Sequence, residues 1–306
     1  MFLITGGCGF IGSHIATELV KRNEDVKIID NLTTGKMENI EHIIEDVKFI
    51  EGDIRNLELL EKELRDVDYI FHEAAMVSVV KSVENPLLCN EINTTGTLNL
   101  LQAAHKNGVK KVIMASSAAI YGDDPELPKR EDMLRTPLSP YAASKISLED
   151  YGKIYNEIYD LNTVSLRYFN VYGPRQDPSS SYSGVLSIFS NEFMNPDPEL
   201  TIYGDGKQTR DFVFIKDVVE ANMLALKRNE MNGKIYNVAC NKQNSLLEII
   251  QIMEEITDKK AQINYEMRRK GDIKYSYADI SRIKKHGFAP QYSIKEGLKK
   301  YFNSLL

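Results

Sequence analysis

The apolar positions of this chain fall into short runs that alternate with longer helical patterns. Runs at 1–5, 26–30, 47–51, 69–72, 111–116 and 163–169 have the length and composition of buried strands. Between them, helical periodicity covers about 11–22, 57–65, 93–107 and 139–160. Such alternation predicts an α/β fold with a doubly wound parallel sheet, in which a ligand binds outside the carboxyl ends of the strands.

The regular alternation breaks up after residue 170. Gly173-Pro174-Arg175 and Asn195-Pro-Asp-Pro198 mark turns, and strand-like segments return at 212–215 and 235–238 with a helical pattern at 218–228 between them. We therefore predict that 1–170 together with about 212–238 form the larger domain. Residues 171–211 and 239–306 are predicted to form a smaller α+β lobe that binds substrate.

Composition and charge narrow the class of protein. The chain has 306 residues, 42% of them hydrophobic, and a net charge of −6 with interspersed signs, which argues against nucleic acid as a partner. The first strand begins at Met1 and no apolar run reaches about 18 residues, so we expect a cytoplasmic protein without a membrane segment. Three dispersed cysteines and five histidines lack the spacing of a disulfide framework or a metal site.

A glycine-rich segment, Thr5-Gly-Gly-Cys-Gly-Phe-Ile-Gly12, lies between the first strand and the first helix. Glycines at 7, 9 and 12 match G-x-G-x-x-G, and Gly6, Gly9 and Gly12 also recur at every third position. Glycines allow the backbone to approach a pyrophosphate, which the N-terminus of the helix attracts. This context predicts a Rossmann dinucleotide site, with an ordinary turn as the alternative explanation.

The second strand ends in an acidic residue, Asp30, 18 residues after Gly12. A carboxylate at this position accepts hydrogen bonds from both ribose hydroxyls and repels a 2′-phosphate. The sequence therefore predicts NAD rather than NADP as the cofactor. A solvated carboxylate at a strand end is the alternative.

Tyr141 and Lys145 are spaced to lie on one face of a helix that starts at Ser139-Pro140. A second pair at the same spacing, Tyr203 and Lys207, encloses Gly-Asp-Gly and is predicted to be a loop. An ammonium at about 4 Å supplies the roughly 4 kcal/mol needed to lower a phenol pKa from about 10 to about 7. With Ser117 upstream, we expect Tyr141 to act as a base in hydride chemistry at an alcohol carbon.

With these residues in place, the chain resembles the extended short-chain dehydrogenase/reductase family over nearly its whole length, and within it the nucleotide-sugar 4-epimerases. The resemblance rests on eight motifs: Thr5–Gly12, Gly52-Asp-Ile54, His72-Glu-Ala-Ala75, Asn93-Thr-Thr-Gly-Thr97, Ser116-Ser-Ala-Ala-Ile-Tyr-Gly122, Tyr141-Ala-Ala-Ser-Lys145, Arg167-Tyr-Phe-Asn-Val-Tyr-Gly-Pro-Arg175 and Arg210-Asp-Phe.

The resemblance implies a role for each matching residue. Ser117, Tyr141 and Lys145 form the implied catalytic set. The implied NAD-binding residues are Gly6, Gly9, Phe10, Ile11, Gly12, Asp30, Asn31, Asp53, Ile54, Ala74, Ala75, Asn93, Tyr141, Lys145 and Tyr168. The implied substrate-binding residues are Ser117, Asn170, Arg210, Arg269, Asp272 and Ser276. From sequence alone, Arg269 and Asp272 also fit a solvated charged turn.

Two positions distinguish the implied reaction from related ones. Related 4,6-dehydratases carry acidic residues after the serine, whereas this chain has Ala118 and Ala119. That difference favours 4-epimerisation, in which a 4-keto sugar forms and is reduced from its other face. A lysine that some glucose-type epimerases use to contact the cofactor is replaced by Val77.

The resemblance also bears on the sugar and on assembly. By resemblance, the residue three positions before Asp279 is bulky in enzymes confined to unsubstituted hexoses. Here it is Ser276, which predicts UDP-N-acetylglucosamine and UDP-glucose as substrates. The alternative is a surface serine that has no bearing on specificity. A uronate 4-epimerase is the alternative, although 179–183 offers hydroxyls and no arginine. A catalytically silent dinucleotide-binding sensor is a further alternative, which would be expected to lose Tyr141 or Lys145.

The resemblance implies a homodimer through a four-helix bundle of 93–107 and 139–160. The apolar positions available for it are Leu98, Leu101, Ile146 and Ile154, which alternatively face the protein's own sheet.

Overall fold

The computed structural model describes residues 1–177, 184–268 and 274–306. Its strands are β1 Phe2–Thr5, β2 Val26–Asp30, β3 Val47–Glu51, β4 Tyr69–His72, β5 Lys111–Ser117, β6 Asn162–Tyr168, β7 Asn170–Tyr172, β8 Glu199–Tyr203, β9 Thr209–Arg210, β10 Phe212–Phe214, β11 Lys234–Val238, β12 Asn244–Ser245 and β13 Gln262–Glu266. Its helices are α1 Phe10–Lys21, α2 Leu57–Glu63, α3 Val79–Glu84, α4 Pro86–Asn90, α5 Gly96–Lys106, α6 Pro140–Ile158, α7 Val185–Glu192, α8 Ile215–Lys227, α9 Leu246–Thr257, α10 Ser281–Lys284 and α11 Ile294–Asn303.

Seven strands form the central sheet in the order β11-β6-β5-β4-β1-β2-β3, and every neighbouring pair is parallel. The prediction of a doubly wound parallel sheet is confirmed. Strand order reverses between β1 and β4, and at such a switch point a crevice opens outside the carboxyl ends of the strands.

The sheet separates two apolar cores because successive strand residues point to opposite faces. On one face Ile4 and Ile28 pack in a core that includes residues of α1 and α8. On the other, Leu3 and Ile29 pack with residues of α2, α5 and α6. Strands buried on both faces read as continuous apolar runs, which explains why the hydrophobic pattern located them within one or two residues.

The helix that carries Tyr141 begins where its sequence predicts. Ser139 is the N-cap and accepts a hydrogen bond from the Ala142 backbone N–H at 3.1 Å, and Pro140 occupies the first helical position. The Tyr203 and Lys207 pair is not helical, since Tyr203 ends β8 and both glycines that follow have positive φ.

The later part of the chain builds three two-stranded ladders: β7 with β10, β9 with β12, and β8 with β13. Residues 212–214 therefore pair outside the central sheet, whereas 234–238 join it beside β6. The division into two domains at the residues given above stays a prediction. Within the described ranges, none of the helices has the length and apolar composition that a membrane span needs.

Candidate active site

The glycine-rich loop lies at the switch point, between β1 and α1. Gly6 has φ +70°, and a Cβ on it would lie 2.7 Å from the Ala74 backbone nitrogen, while a Cβ on Gly12 would lie 2.3 Å from the Gly6 carbonyl oxygen. Helix α1 starts at Phe10 with Gly9 as N-cap, without a side-chain cap and without an acidic residue in its first turn. Its first N–H groups and its dipole therefore face the loop, which is the arrangement that binds a pyrophosphate.

Acidic residues flank this loop at the ends of two neighbouring strands. Asp30 is buried at the end of β2, where its carboxylate accepts hydrogen bonds from the Cys8 and Leu32 N–H groups at 2.9 and 2.8 Å. Asp53 is bound by Arg55 at 2.8 and 2.9 Å and by Asn31 at 2.8 Å. Hydrogen bonds from Arg55 keep the pKa of Asp53 well below its usual range, so it is an anion.

Asn93 lies in a π-helical turn, Glu91–Thr95, between α4 and α5. Such turns are frequent at functional sites. Its side chain accepts from the Met76 N–H at 2.7 Å, and donates to the Met76 carbonyl and to the Ser144 hydroxyl, each at 3.0 Å. Asn93 therefore fixes the segment that contains Ala74 and Ala75 against α6.

The structure brings the three predicted catalytic residues together at the carboxyl edge of the sheet. Ser117 is the last residue of β5, and Tyr141 and Lys145 lie in the first turns of α6. The Lys145 ammonium is 5.8 Å from the centre of the Tyr141 ring and donates to the Ala115 carbonyl at 2.6 Å. Lys145 is buried, with 3% of its surface exposed.

The protein's own groups do not produce the lowered phenol pKa that the Tyr–Lys spacing predicts. Burial raises the pKa of Tyr141, although the interaction with the Ser117 hydroxyl lowers it in part. Burial also lowers the pKa of Lys145 to about 8, so this ammonium gives up its proton far more readily than an exposed lysine. Desolvation of the two groups therefore outweighs the attraction on which the prediction is based, and a lowered pKa of Tyr141 with NAD bound stays a prediction.

Tyr168 is buried at the end of β6 beside this set. Its hydroxyl donates to the Glu73 carboxylate at 3.0 Å and accepts from the Asn222 amide of α8 at 2.8 Å. No role is predicted for Glu73 from the sequence. Its position directly after a buried strand was the signal that could have pointed to it.

A pocket of about 300 Å³ opens beside β7 and β9, and both Asn170 and Arg210 line it. The Asn170 amide donates to the Asp211 carbonyl at 2.9 Å, and Asp211 in turn accepts from the Cys240 and Ala278 N–H groups at 2.8 and 3.2 Å. The pocket is also lined by residues that the sequence analysis missed: Gln176, Leu186, Thr201, Tyr203 and Gln208. A short alternation of polar and apolar residues in β8, Glu-Leu-Thr-Ile-Tyr, was the available signal for two of them, Thr201 and Tyr203.

Ser276 lies on the segment that runs beside β9. Its N–H donates to the Thr209 carbonyl at 3.1 Å, next to Arg210, and the residue is half-buried. Arg269, Asp272 and the 179–183 segment lie outside the described residues. Val77, at the position of the missing lysine, has 64% of its surface exposed. Among the described residues, no group of three or more His, Cys, Asp or Glu side chains is arranged for a metal ion.

A doubly wound sheet with a glycine loop at its switch point and a Ser-Tyr-Lys set at the same edge defines a dinucleotide-dependent enzyme of the short-chain dehydrogenase/reductase class. Residues 2–239 match the model of the NAD dependent epimerase/dehydratase family, and the chain belongs to this family. The resemblance stated from the motifs is thereby confirmed.

Known proteins similar to the chain over its whole length include three sugar-nucleotide epimerases. A putative UDP-glucose 4-epimerase of Methanocaldococcus jannaschii is 42% identical over 99% of this chain and 97% of its own. A UDP-glucuronate 4-epimerase of Thermodesulfobacterium geofontis is 37% identical over 99% and 95%. A structure of UDP-N-acetylglucosamine 4-epimerase from Methanobrevibacter ruminantium, in complex with UDP-N-acetylmuramic acid, is 41% identical over 99% and 97%, with a TM-score of 0.94.

Proposed function

We propose that this chain is an NAD-dependent UDP-sugar 4-epimerase, and that it interconverts UDP-N-acetylglucosamine with UDP-N-acetylgalactosamine and UDP-glucose with UDP-galactose. The observation that carries the proposal is the convergence of Ser117, Tyr141 and Lys145 on the glycine-loop edge of the sheet. Similarity to 4-epimerases over the whole chain supports it. Because Ala118 and Ala119 follow Ser117, this segment supplies no acid or base for eliminating water.

NAD, when bound, supplies the two-electron acceptor and donor for C4 of the sugar. Tyr141, as the phenolate, takes the proton of the 4-hydroxyl and becomes a phenol, and Ser117 donates a hydrogen bond to the reacting oxygen. Lys145 holds a positive charge beside the phenolate. Epimerisation requires the 4-keto sugar to present its other face before reduction, so the nucleotide must be held while the sugar stays free to turn.

The pocket next to the site has residues that can hold the nucleotide. Arg210 offers a guanidinium to a diphosphate, and Asn170 lies beside it on β7. Retention of both Tyr141 and Lys145 argues against a silent sensor. Similarity to a UDP-glucuronate 4-epimerase keeps the uronate reaction as the second candidate.

The decisive experiment incubates the purified protein with UDP-N-acetylglucosamine, UDP-glucose and UDP-glucuronate in separate samples and resolves the products by proton NMR. We expect the C4 epimer to appear from the first two. Turnover of UDP-glucuronate alone would establish the second candidate, and no epimer from any sugar would refute the proposed function.

We predict that Ser276→Tyr lowers turnover of UDP-N-acetylglucosamine by about 10- to 100-fold and leaves turnover of UDP-glucose nearly unchanged. Hydrogen bonds from the Ser276 and Ala278 N–H groups hold the segment and oppose a backbone shift that would make room for a larger side chain. Competition between the two sugars in one sample measures the ratio directly. Ser276→Ala is the matched control and should keep the wild-type ratio; equal loss with both sugars would contradict the prediction.

We also propose a homodimer formed through α6 and its neighbours. Ile154 and Ile158 lie one turn apart on α6 and have 40% and 69% of their surfaces exposed. Leu101 is fully buried in the protein's own core and cannot serve this interface. Leu98 and Ile146 are partly buried against the protein's own cores, so they are weaker candidates for it.

We predict that Ile158→Glu converts the proposed dimer to a monomer, because two carboxylates would be buried against an apolar surface. Sedimentation equilibrium measures the mass. Leu306→Glu places the same charge on a residue with 95% of its surface exposed at the end of the chain and serves as control. A dimeric Ile158→Glu variant would place the interface elsewhere.

A further inference from the structure

The backbone N–H of Tyr141 lies in the first turn of α6, where donors have no partner within the helix. Pro140 has no N–H, and the Ser139 hydroxyl already accepts from the Ala142 N–H at 3.1 Å. The acceptor for the Tyr141 N–H is the Ser82 hydroxyl of α3, at 3.2 Å. A residue of a different element therefore completes the start of the helix that carries the proposed base.

Ser82 is fully buried, and its hydroxyl is held in one orientation. It donates its proton to the Val79 carbonyl at 2.6 Å, one turn earlier in α3, which leaves a lone pair for the Tyr141 N–H. The start of α3 is capped by Ser78, whose hydroxyl accepts from the Lys81 N–H at 3.1 Å. The acceptor is therefore set by the local structure of α3.

The carbonyl of Tyr141 is also held. The Ser144 hydroxyl donates to it at 2.7 Å and accepts from the Asn93 amide at 3.0 Å. Asn93 in turn binds the N–H and the carbonyl of Met76, at 2.7 and 3.0 Å, shortly before α3. The two serines and Asn93 are buried. Tyr141, Ser144, Asn93, Met76 and Ser82 therefore form a closed network that starts and ends in the 76–82 segment.

The closed network fixes a part of α6 that is prone to move. Helix ends fray, whereas a general base must stay within hydrogen-bond reach of the proton it takes. A tyrosine ring is rigid, so a small tilt of the Tyr141 backbone displaces the phenol oxygen further than the backbone itself. Ala74, two residues before Met76, packs so closely on Gly6 that a Cβ there would lie 2.7 Å from the Ala74 nitrogen. The network therefore also connects Tyr141 to the glycine-rich loop.

We infer that Ser82 and Ser144 are positioning residues, which hold Tyr141 at the reacting hydroxyl and in register with the glycine-rich loop. Both act through the backbone of Tyr141 and leave its phenol oxygen unchanged. The inference rests on the proposed function for its kinetic consequence only.

The test is Ser82→Ala in the NAD-loaded protein, with UDP-glucose turnover measured over a range of substrate concentrations. We expect kcat to fall by about 10- to 100-fold, while KM and the bound NAD stay within about twofold of wild type. Ser144→Ala, which releases the Tyr141 carbonyl, should lower kcat to a similar extent and carries the test if Ser82→Ala does not fold. Ser147→Ala is the control, since it removes a hydroxyl of α6 that donates to the Ala143 carbonyl of the same helix, and it should keep the wild-type kcat.

The amide signal of Tyr141 is a second readout, which does not depend on turnover. Labelling with nitrogen-15 tyrosine gives one amide signal per tyrosine, and the Tyr141 signal is the one absent from Tyr141→Phe. In Ser82→Ala we expect its amide proton to lose the downfield shift of a hydrogen-bonded N–H and to exchange with water at least about tenfold faster. The signals of tyrosines in the central sheet should stay in place.

A Tyr141 signal that does not move in Ser82→Ala would overturn the inference, as would an unchanged kcat. A fall in kcat that follows the loss of bound NAD would also overturn it, because the network would then hold the cofactor and not the base. Absence of epimerisation by the wild-type chain would refute the proposed function, and the amide signal would still decide whether Ser82 holds Tyr141.

Discussion

Replacing Tyr141 by Phe is expected to lower kcat by about 10³-fold or more while the protein keeps its fold and its NAD. The phenol oxygen is the group proposed to move the proton of the 4-hydroxyl, and the ring is the part that packs. The backbone N–H of Tyr141 donates to the Ser82 hydroxyl at 3.2 Å, and this contact survives the substitution. The Lys145 ammonium, held by the Ala115 carbonyl, also stays in place.

The measurement is kcat by NMR with each UDP-sugar, together with the NAD released on acid denaturation. Tyr151→Phe is the matched control, since it removes a phenol oxygen from the same helix about three turns further along and is expected to leave kcat within twofold. Activity of Tyr141→Phe within about tenfold of wild type would remove Tyr141 from the mechanism. Loss of NAD in step with activity would show that the residue binds the cofactor instead.

The desolvation of Tyr141 and Lys145 shows what sequence spacing leaves out. Spacing predicts correctly that the two residues lie near each other on α6, because a helix places positions i and i+4 on one face. It does not show that Lys145 is buried with its ammonium on the Ala115 carbonyl of β5, and burial is the larger influence on both pKa values. Desolvation depends on the packing of distant segments, which a local pattern does not contain.

Local sequence patterns also predict the central sheet much better than they predict the pocket. Parallel strands packed between two layers of helices carry a strong apolar signal, so all seven central strands could be assigned before any pairing was known. The pocket is built from short ladders such as β8 with β13, in which Thr201 pairs with Asn264 across more than sixty residues of chain. The alternation in β8 covers only five residues, which is too few to distinguish a strand from a chance pattern, and therefore Thr201 and Tyr203 were not predicted.

Glu149 and Arg167 form a buried ion pair directly behind the catalytic set. Two hydrogen bonds of 2.8 Å join the guanidinium to the carboxylate, and both side chains have at most 1% of their surface exposed. Ser116 adds a hydrogen bond to Glu149 at 2.6 Å. Burial alone would lower the pKa of Arg167, but its bonds to Glu149 raise that pKa above its usual range, so the guanidinium keeps its charge.

We predict that Arg167→Met lowers the free energy of unfolding by about 3 kcal/mol, at the low end of the range for breaking a buried pair. The low end applies because Arg135 lies 3.9 Å from the Glu149 carboxylate and keeps part of its charge compensated. Urea unfolding measures the change. The double variant Arg167→Met/Glu149→Leu should recover most of the loss, since no uncompensated charge is left in the core.

The double variant also separates stability from positioning. Each member of this cluster lies close in sequence to a residue of the site. Ser116 precedes Ser117 on β5, Glu149 lies one turn after Lys145 on α6, and Arg167 precedes Tyr168 on β6. If the ion pair orients these elements, the double variant unfolds near the wild-type urea concentration but has a lower kcat at unchanged KM. If kcat is also restored, the pair only keeps a buried charge compensated. A single variant that loses less than about 1 kcal/mol would contradict both roles.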